Sequence, residues 1–316
     1  MKFDAPHFRD EDAARAYVEA LRWPDGRVCG KCGSLRSYET KKVGRYRCAE
    51  PECRKDFTVM TGTVMEASHV KLTVWLMAFY LMAASKKGVS AHQLHRTLDV
   101  TYKTAWFLAH RIREAMKAGG LAGPLGGSGQ VVEADETYFG PVDEHRRVRA
   151  RGGVYKYKKG RGPANKRAIV SLVERGGSVR SFHVASADKE TVTKIVRENV
   201  DPATRLHTDE SRLYTGSDEV FATHETIKHS AGEYARGDVN TNSVEGYFSV
   251  FKRGMRGVYQ HCREKHLHRY LSEFDFRHNH RTALGWSDER RAQIAVKGIE
   301  GKRLTYRRTH EARSHV

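Results

Sequence analysis

The chain has 316 residues, of which 39% are hydrophobic and 30% are charged, and its net charge of +18 gives a pI near 9.7. This composition fits a soluble globular protein of two or three domains, and the lysine and arginine surplus favours a polyanionic partner. The acidic N-terminus lacks the apolar core of a signal peptide, and the longest apolar run, Trp75 to Ala84, is about half of what a membrane-spanning helix needs. A cytoplasmic, DNA-associated bacterial protein with no membrane partner is therefore expected; a ribosome-associated protein or a merely soluble basic surface is the alternative on charge alone.

Residues 1–66 are predicted to form a helix, capped by Asp10 or Asp12, and then a zinc ribbon. Two cysteine pairs, CGKC and CAEPEC, are separated by fifteen residues, which is the spacing of a tetrahedral Cys₄ zinc site. Four thiolates would complete the coordination shell, so the zinc is expected to be structural. The alternative, four small buried hydrophobic residues, is disfavoured by this spacing, and free clustered cysteines indicate a reducing compartment. The predicted zinc ligands are Cys29, Cys32, Cys48 and Cys53.

Residues 67–120 are predicted to be helical and to resemble a helix-turn-helix. Ser90 is expected to cap one helix and Thr101 the next. The second helix carries basic and hydroxyl side chains on its outer face, which favours DNA binding, while a plain helical bundle is the alternative. The candidate DNA-facing residues are Lys103, Thr104, His110 and Arg113.

A glycine-rich stretch, residues 119–130, is predicted to be a flexible linker and a domain boundary. Beyond it, strand and helix patterns alternate over residues 128–285, as in a mixed sheet with helices on its faces. Residues 286–316 are interpreted as a basic C-terminal extension.

A basic segment runs from Arg146 to Arg167, with ten lysines or arginines and no acidic residue. Its glycines indicate a flexible loop that orders on nucleic acid, and a solvated run of charge is the alternative. The predicted DNA-binding residues in this segment are Arg146, Arg147, Lys158, Lys159 and Arg161.

Three carboxylates lie in separate contexts: Asp135 in VEADETYFG, Asp209 in LHTDES, and Glu245 in NTNSVEGYFSVFKRG. Hard oxygen ligands on different elements suit two divalent cations that act on a phosphodiester. Because side chains alternate along a strand, Asp135 is expected to share a face with Glu133 and not with Glu136. Each carboxylate taken singly would more simply be a surface group, so the prediction depends on the three together.

The helix that carries Glu245 is predicted to be amphipathic. One stripe is apolar and should dock on the sheet: Val244, Phe248, Phe251 and Met255. The other stripe is polar: Asn242, Glu245, Ser249 and Lys252. Lys252 follows Glu245 by seven positions, or two helical turns, and is placed to hold a DNA phosphate; Arg253 beside it is also a predicted DNA-binding residue.

These motifs resemble the insertion-sequence transposases that join an N-terminal zinc ribbon to an ISXO2-like DDE catalytic domain, and the resemblance covers nearly the whole chain. It implies a multidomain α+β protein whose mixed α/β catalytic core is ribonuclease H-like. It also implies that Asp135, Asp209 and Glu245 are the catalytic residues and that Lys252 is their basic partner. Asn242 is an alternative for the third position, although the offset to Lys252 favours Glu245; otherwise Asn242, as a helix cap, and His229 would support the carboxylates.

The resemblance predicts a DNA transposase. Two Mg²⁺ ions on the three carboxylates, with Mn²⁺ able to substitute, would support cleavage at the element's ends and transfer of the freed 3′-OH into target DNA. The ribbon and the helical segment would recognise the terminal inverted repeats, and a homodimer or larger assembly is expected on DNA. The alternatives are a catalytically silent DNA-binding regulator, against which the intact trio argues, and a structure-specific nuclease of the same fold.

Overall fold

A computed structural model describes residues 3–119, 123–142, 147–149, 155–157 and 165–305. The chain divides into two compact units: Met1–Lys117 with Gly285–Val316, and Ala118–Leu284. Across the described residues, no helix has the length and apolar character needed to cross a membrane.

The first unit begins with helix α1 (Glu11–Arg22) and a small antiparallel sheet of order β1-β2-β3. The strands are β1 (Ser37–Glu39), β2 (Tyr46–Cys48) and β3 (Asp56–Phe57). Asp10 caps α1 by accepting a hydrogen bond from the Ala13 amide. Strands this short cannot hold a sheet by hydrogen bonds alone, so the packing of Trp23, Tyr46 and Phe57 supports them.

Helices α2 (Leu72–Ala84), α3 (Ala91–Leu98), α4 (Tyr102–Met116) and α8 (Asp288–Lys297) complete this unit. The predicted caps are confirmed, since Ser90 accepts from Gln93 at the start of α3 and Thr101 from Thr104 at the start of α4. α2 is apolar on all sides and packs chiefly against α8. The C-terminal segment that the sequence analysis sets apart therefore contributes a helix to the core of the first unit.

The second unit is built on a five-stranded sheet of order β10-β9-β4-β7-β8 among the described strands. The strands are β4 (Val131–Pro141), β7 (Lys166–Glu174), β8 (Val179–Val184), β9 (Arg205–Asp209) and β10 (Thr223–Ile227). β4, β9 and β10 are mutually parallel, whereas β7 pairs antiparallel with both β4 and β8. The predicted mixed α/β architecture is confirmed.

Helices cover both faces of this sheet. On one face, α6 (Asn242–Gly254) and α7 (Leu267–Asn279) pack their apolar side chains against Ile169 and Val173 of β7. On the other face, α5 (Lys189–Asn199) packs against Val132 and Ala134 of β4. Because β4 is central and alternates its side chains, Glu133 and Asp135 emerge on the α6 side.

Two sequence interpretations need correction. The glycine-rich stretch is not wholly a flexible linker: Leu125 is buried in the core with α5, and its backbone bonds Asn199 and Asp201. Part of the basic segment forms an antiparallel hairpin of β5 (Arg147–Arg149) and β6 (Tyr155–Tyr157) where a flexible loop is predicted. Alternation of basic residues with valine or tyrosine favours strands here.

Candidate functional site

The four cysteines of the first unit converge on one point. Their Sγ atoms all lie within 4.8 Å of one another, with 3.9 Å between Cys29 and Cys53 and 3.5 Å between Cys32 and Cys48. A zinc ion bonded to four sulfurs at about 2.3 Å in a tetrahedron requires sulfur separations of about 3.8 Å. The geometry therefore fits the predicted zinc site.

The protonation chemistry of the cluster also suits a cation. The Ser34 backbone N–H favours the thiolate of Cys32, but burial and the neighbouring thiols outweigh it and raise the pKa of Cys32 to about 12. Burial likewise raises the pKa of Cys48. Thiols this close cannot all ionise without a positive charge among them, and zinc supplies that charge.

The three predicted carboxylates of the second unit project from three elements toward one face of the sheet. Parallel pairing sets Glu133 of β4 opposite His207 of β9, so Asp135 and Asp209, two residues further along each strand, project from the same face. Glu245 lies in the first turn of α6, which packs on that face. The Ser211 amide donates to Asp209 Oδ1 at 3.0 Å and fixes that carboxylate at the end of β9.

These carboxylates act on one another electrostatically. Burial first, and then the charges of Glu136 and Asp209, raise the pKa of Asp135 to about 8; the charge of Glu245 adds to the rise. Burial also raises the pKa of Asp209. A cluster in which Asp135 resists ionisation is one whose negative charge a bound cation would relieve.

Glu245 is held by neighbours on its own helix entry and on a nearby loop. The Thr241 hydroxyl donates to Glu245 Oε1 at 2.8 Å. His229 Nε2 lies 3.4 Å from the same oxygen and 3.4 Å from the Thr241 hydroxyl. The side chain of Glu245 is still 47% exposed, which leaves room for a ligand at its second oxygen.

Glu136 faces the opposite layer, as strand alternation requires. Tyr214 donates to Glu136 Oε2 at 3.1 Å, and Ser211 approaches Oε1 at 3.5 Å. Burial and the charge of Asp209 raise the pKa of Glu136. Glu136 therefore contributes to the field at Asp135 although its side chain belongs to another set of contacts.

Lys252 is half-buried near the carboxylates. Burial lowers the pKa of Lys252, and the charge of Asp135 opposes that shift, which places the ammonium group within electrostatic reach of the cluster. Arg253 is exposed and bonds Ser249 one turn earlier. The two cations thus occupy different positions, one beside the carboxylates and one on the outer surface of α6.

Asn242 is not the helix cap that the sequence suggests. It is exposed at the start of α6, and the residue before it, Thr241, makes no side-chain cap either. The carboxylate of Glu133 fills the role, accepting hydrogen bonds from the Ser243 and Val244 amides at 2.7 and 3.1 Å. Strand alternation places Glu133 on the face of Asp135, but the sequence does not indicate that Glu133 accepts from the amides of a helix 110 positions away.

The predicted DNA-facing residues of α4 divide into two groups. Lys103 is exposed, and Thr104 is half-buried with its hydroxyl 2.9 Å from that of Thr101. His110 and Arg113 are only 1% and 3% exposed, so their prediction as DNA-facing is wrong. The reason is that α4 packs against both α2 and α8, which buries more of its circumference than a single apolar stripe.

Four other predicted DNA-binding residues, Arg146, Lys158, Lys159 and Arg161, lie outside the described residues. Arg147 lies in β5, of which only the backbone is described. Their assignment stays a prediction.

Family comparisons match both units. A model described as an ISXO2-like transposase domain matches residues 124–279, and one described as a transposase zinc-ribbon domain matches residues 9–56. A protein of Halobacterium salinarum, named as an uncharacterized protein in transposable element ISH50, is 31% identical over 283 residues, which cover 85% of this chain and 91% of the relative. A crystal structure of a pre-cleavage Mos1 transpososome aligns with 67% of this chain and 75% of its own at 10% identity, with a TM-score of 0.18, too low to support an argument about the fold.

Proposed function

Because this chain belongs to the ISXO2-like transposases of insertion sequences, with their zinc ribbon at its N-terminus, we propose that it cleaves DNA at the ends of its element and joins the freed 3′-OH to target DNA. The observation that carries the proposal is the placement of Asp135 and Asp209 on the same face of adjacent parallel strands, the face on which the helix that carries Glu245 packs. Three acidic residues from two strands and a helix have little structural reason to project toward one face of the sheet unless cations are to bind there.

Asp135, Asp209 and Glu245 would hold two Mg²⁺ ions, for which Mn²⁺ can substitute. When bound, these ions would supply an activated oxygen nucleophile and neutralise charge on the leaving oxygen. The fit rests on the donor set, which consists of hard carboxylate oxygens, and on the raised pKa of Asp135, which a cation would reverse. In this assignment Glu245 is the third ligand, because an anionic carboxylate is a stronger ligand for a hard divalent cation than the neutral amide of Asn242.

The remaining groups have distinct roles in the proposal. Asp135 and Asp209 provide a rigid pair on adjacent strands, while Thr241 and His229 orient Glu245 from the helix entry. Lys252 would hold a non-bridging phosphate oxygen beside the carboxylates, where its charge balances theirs.

We assign the second unit to the ribonuclease H-like fold. Its sheet has three parallel strands flanked by an antiparallel pair, with the acidic residues on the central strand, on its parallel neighbour and on a following helix. The α3–α4 pair, joined by a short turn at Asp99, is proposed as the helix-turn-helix.

DNA is the proposed partner, both as terminal inverted repeats and as target. The net charge of +18 supplies the attraction, and the exposed side chains of Lys103 and Arg253 are proposed to contact phosphates. The zinc ribbon and the α3–α4 pair would read the repeats. Since two ends must be brought together, at least a dimer is proposed on DNA.

The test is a strand-transfer assay in Mg²⁺ with Asp209→Asn. Loss of one metal ligand should reduce cleavage and joining by roughly 1,000-fold, because metal charge stabilisation contributes several kcal/mol. Glu210→Gln is the matched control, since its exposed carboxylate is adjacent in sequence and bonds the Ser230 amide, and it should retain activity. Equal activity of Asp209→Asn and the unaltered chain would overturn the proposal, and cut products never joined to target would indicate a nuclease instead.

A further inference from the structure

The N-terminus of α6 is capped by a residue from another element. Glu133, on β4, is 0% exposed, and its carboxylate accepts hydrogen bonds from the Ser243 and Val244 amides and from the Ser243 hydroxyl at 2.9 Å. We propose that Glu133 is a positioning residue that sets the distance between Asp135 and Glu245, an inference that rests on the proposed function of those two carboxylates.

The hydrogen bonds at the helix entry are divided among three acceptors, Glu133, Asn240 and Glu245. The residue before the helix is Thr241, a type that commonly caps a helix with its own hydroxyl, yet that hydroxyl donates to Glu245 instead. Glu133 accepts from the second and third amides of α6 in its place, while the first amide, that of Asn242, donates to Asn240 Oδ1, and Glu133 adds a negative charge where the helix dipole is positive. Thr241 is thus able to orient Glu245 without leaving the helix end uncapped.

Arg175 keeps the buried carboxylate in place. Its Nε and Nη2 atoms donate to Glu133 Oε1 at 3.0 and 2.8 Å, and it also donates to the carbonyl oxygens of Asp238 and Asn240 at 2.8 and 3.2 Å. The strand, the arginine and the loop that precedes α6 therefore form one connected set. Burying a carboxylate is costly unless it is paired and hydrogen-bonded in this way.

The contact lies close to both members of the carboxylate pair. Glu133 precedes Asp135 by two residues on the same face of β4, and Ser243 precedes Glu245 by two residues in α6. A shift of the helix entry on the strand would consequently move Glu245 relative to Asp135 by a similar amount. Metal-dependent chemistry is sensitive to such shifts: a displacement of about 1 Å can reduce a rate roughly 100-fold.

A purely structural cap makes a different prediction. If Glu133 only stabilised the fold, its replacement would lower stability without a particular effect on metal use. Glu273 on α7 provides the comparison, because it is also 0% exposed and also pairs with an arginine, Arg277. Like Glu133, it accepts a hydrogen bond from a hydroxyl group, that of Tyr259. Glu273→Gln is therefore a matched control for the loss of a buried carboxylate.

The experiment compares Glu133→Gln and Glu273→Gln in the full-length, zinc-loaded chain. Glu133→Gln should slow DNA cleavage by roughly 10- to 100-fold and raise the Mg²⁺ concentration for half-maximal rate, as loss of a group that supports metal ligands does. DNA affinity measured without divalent cation should stay within about twofold of that of the unaltered chain, because the fully buried Glu133 side chain cannot contact DNA phosphates. Glu273→Gln should leave the Mg²⁺ dependence unchanged at a comparable loss of thermal stability.

Hydrogen exchange separates this inference from the proposed function. Glu133→Gln should speed exchange of the Ser243 and Val244 amides by roughly tenfold or more, because each loses a bond to a charged acceptor. Unchanged exchange there, or an unchanged Mg²⁺ dependence in an active variant, overturns the positioning role. If instead Asp209→Asn proves fully active while the exchange result holds, the proposed chemistry fails and the cap stands.

Should Glu133→Gln fail to fold, Ser243→Ala replaces it. This change removes only the hydroxyl bond to Glu133 and keeps both amide bonds. A cleavage rate reduced several-fold, with a raised Mg²⁺ requirement, supports the inference; an unchanged rate and Mg²⁺ requirement overturn it.

Discussion

The cysteine cluster and the carboxylate cluster differ in how completely the protein encloses them. The four cysteines come from 25 consecutive positions, Cys29 to Cys53, and bring their sulfurs within 4.8 Å of one another. The carboxylates span Asp135 to Glu245, and Glu245 keeps 47% of its side chain exposed. A closed ligand set holds a fold together, whereas an open one leaves positions for a substrate.

The surroundings of the two clusters reinforce this difference. The ribbon has strands of two or three residues and a few aromatic contacts, so its metal replaces a core that the segment is too small to build. The carboxylates sit on a sheet that already has a hydrophobic core on each face. Zinc removal is therefore expected to affect the structure of the first unit, whereas removal of the proposed Mg²⁺ is expected to affect chiefly the proposed chemistry of the second.

The largest expected effect is on the ribbon. Cys48→Ala, or removal of zinc by a strong chelator, should unfold residues 9–56, because structural zinc contributes on the order of 10 kcal/mol to small folds. Metal analysis should then fall from one zinc per chain, and amide exchange should increase through the ribbon. Cys262→Ala is the control and should keep its zinc; full zinc retention by Cys48→Ala would refute the assignment.

The next effect concerns Asp135 in magnesium-free buffer. The pKa of Asp135 in the folded chain, about 8, lies above the ordinary value of 3.8. The stability that protonated Asp135 contributes is therefore fully present below about pH 4 and is lost as the pH rises through 8. The free energy of unfolding should fall by a few kcal/mol across that range, and Asp135→Asn should flatten the slope. Thermal unfolding of the zinc-loaded chain measures this dependence.

Magnesium should counter the same slope in the unaltered chain. Binding at about 100 times the dissociation constant stabilises a fold by about 2.7 kcal/mol, and Asp135→Asn should abolish most of that gain. If Mg²⁺ stabilised the unaltered chain and Asp135→Asn equally, the cation would bind outside the carboxylate cluster. The carboxylates would then not be an open metal site that differs from the closed cysteine site.

A smaller effect sharpens the comparison from inside the second unit. Asp275 is buried, which raises its pKa from 3.8 to about 6 even though Tyr247 and Ser181 hydrogen-bond it. The stability that protonated Asp275 contributes is fully present below about pH 4 and is lost as the pH rises through 6. The free energy of unfolding should fall by roughly 3 kcal/mol at most over that range. Asp275→Asn should remove this step in unfolding curves. Because Asp275 is not in the carboxylate cluster, Mg²⁺ should leave this pH-dependent loss of stability unchanged. If Mg²⁺ abolished the loss, Asp275 could not be separate from the cation-binding cluster.

Local chemistry decided what the sequence could predict. Cysteine spacing identified the candidate zinc ligands, the capping residues Ser90 and Thr101 identified two helix starts, and strand alternation predicted the face on which Asp135 lies. Each of these depends on residues close together in the chain.

What the sequence could not supply were contacts between distant segments. His110 and Arg113 lie on α4, which packs against α2 and against α8 from the far end of the chain, and both side chains are buried. Glu133 caps α6 although 110 positions separate it from Ser243. Hydrophobic periodicity shows which face of an element is apolar, but not how many neighbouring elements will cover that element. Polar residues that bond each other across the fold have no fixed separation in the sequence, so no spacing pattern predicts such a pair.

The packing of α2 against α8 affects the order in which a newly made chain matures. α2 ends at Ala84 and α8 begins at Asp288, so at 5–20 residues per second at least about ten seconds of synthesis separate the two helices. During that time the whole sheet unit is synthesised, while the apolar α2 still lacks its main partner. A product truncated before α8 would carry finished carboxylate strands on an unfinished N-terminal unit with exposed apolar surface, and cellular proteases would remove it before it reached DNA.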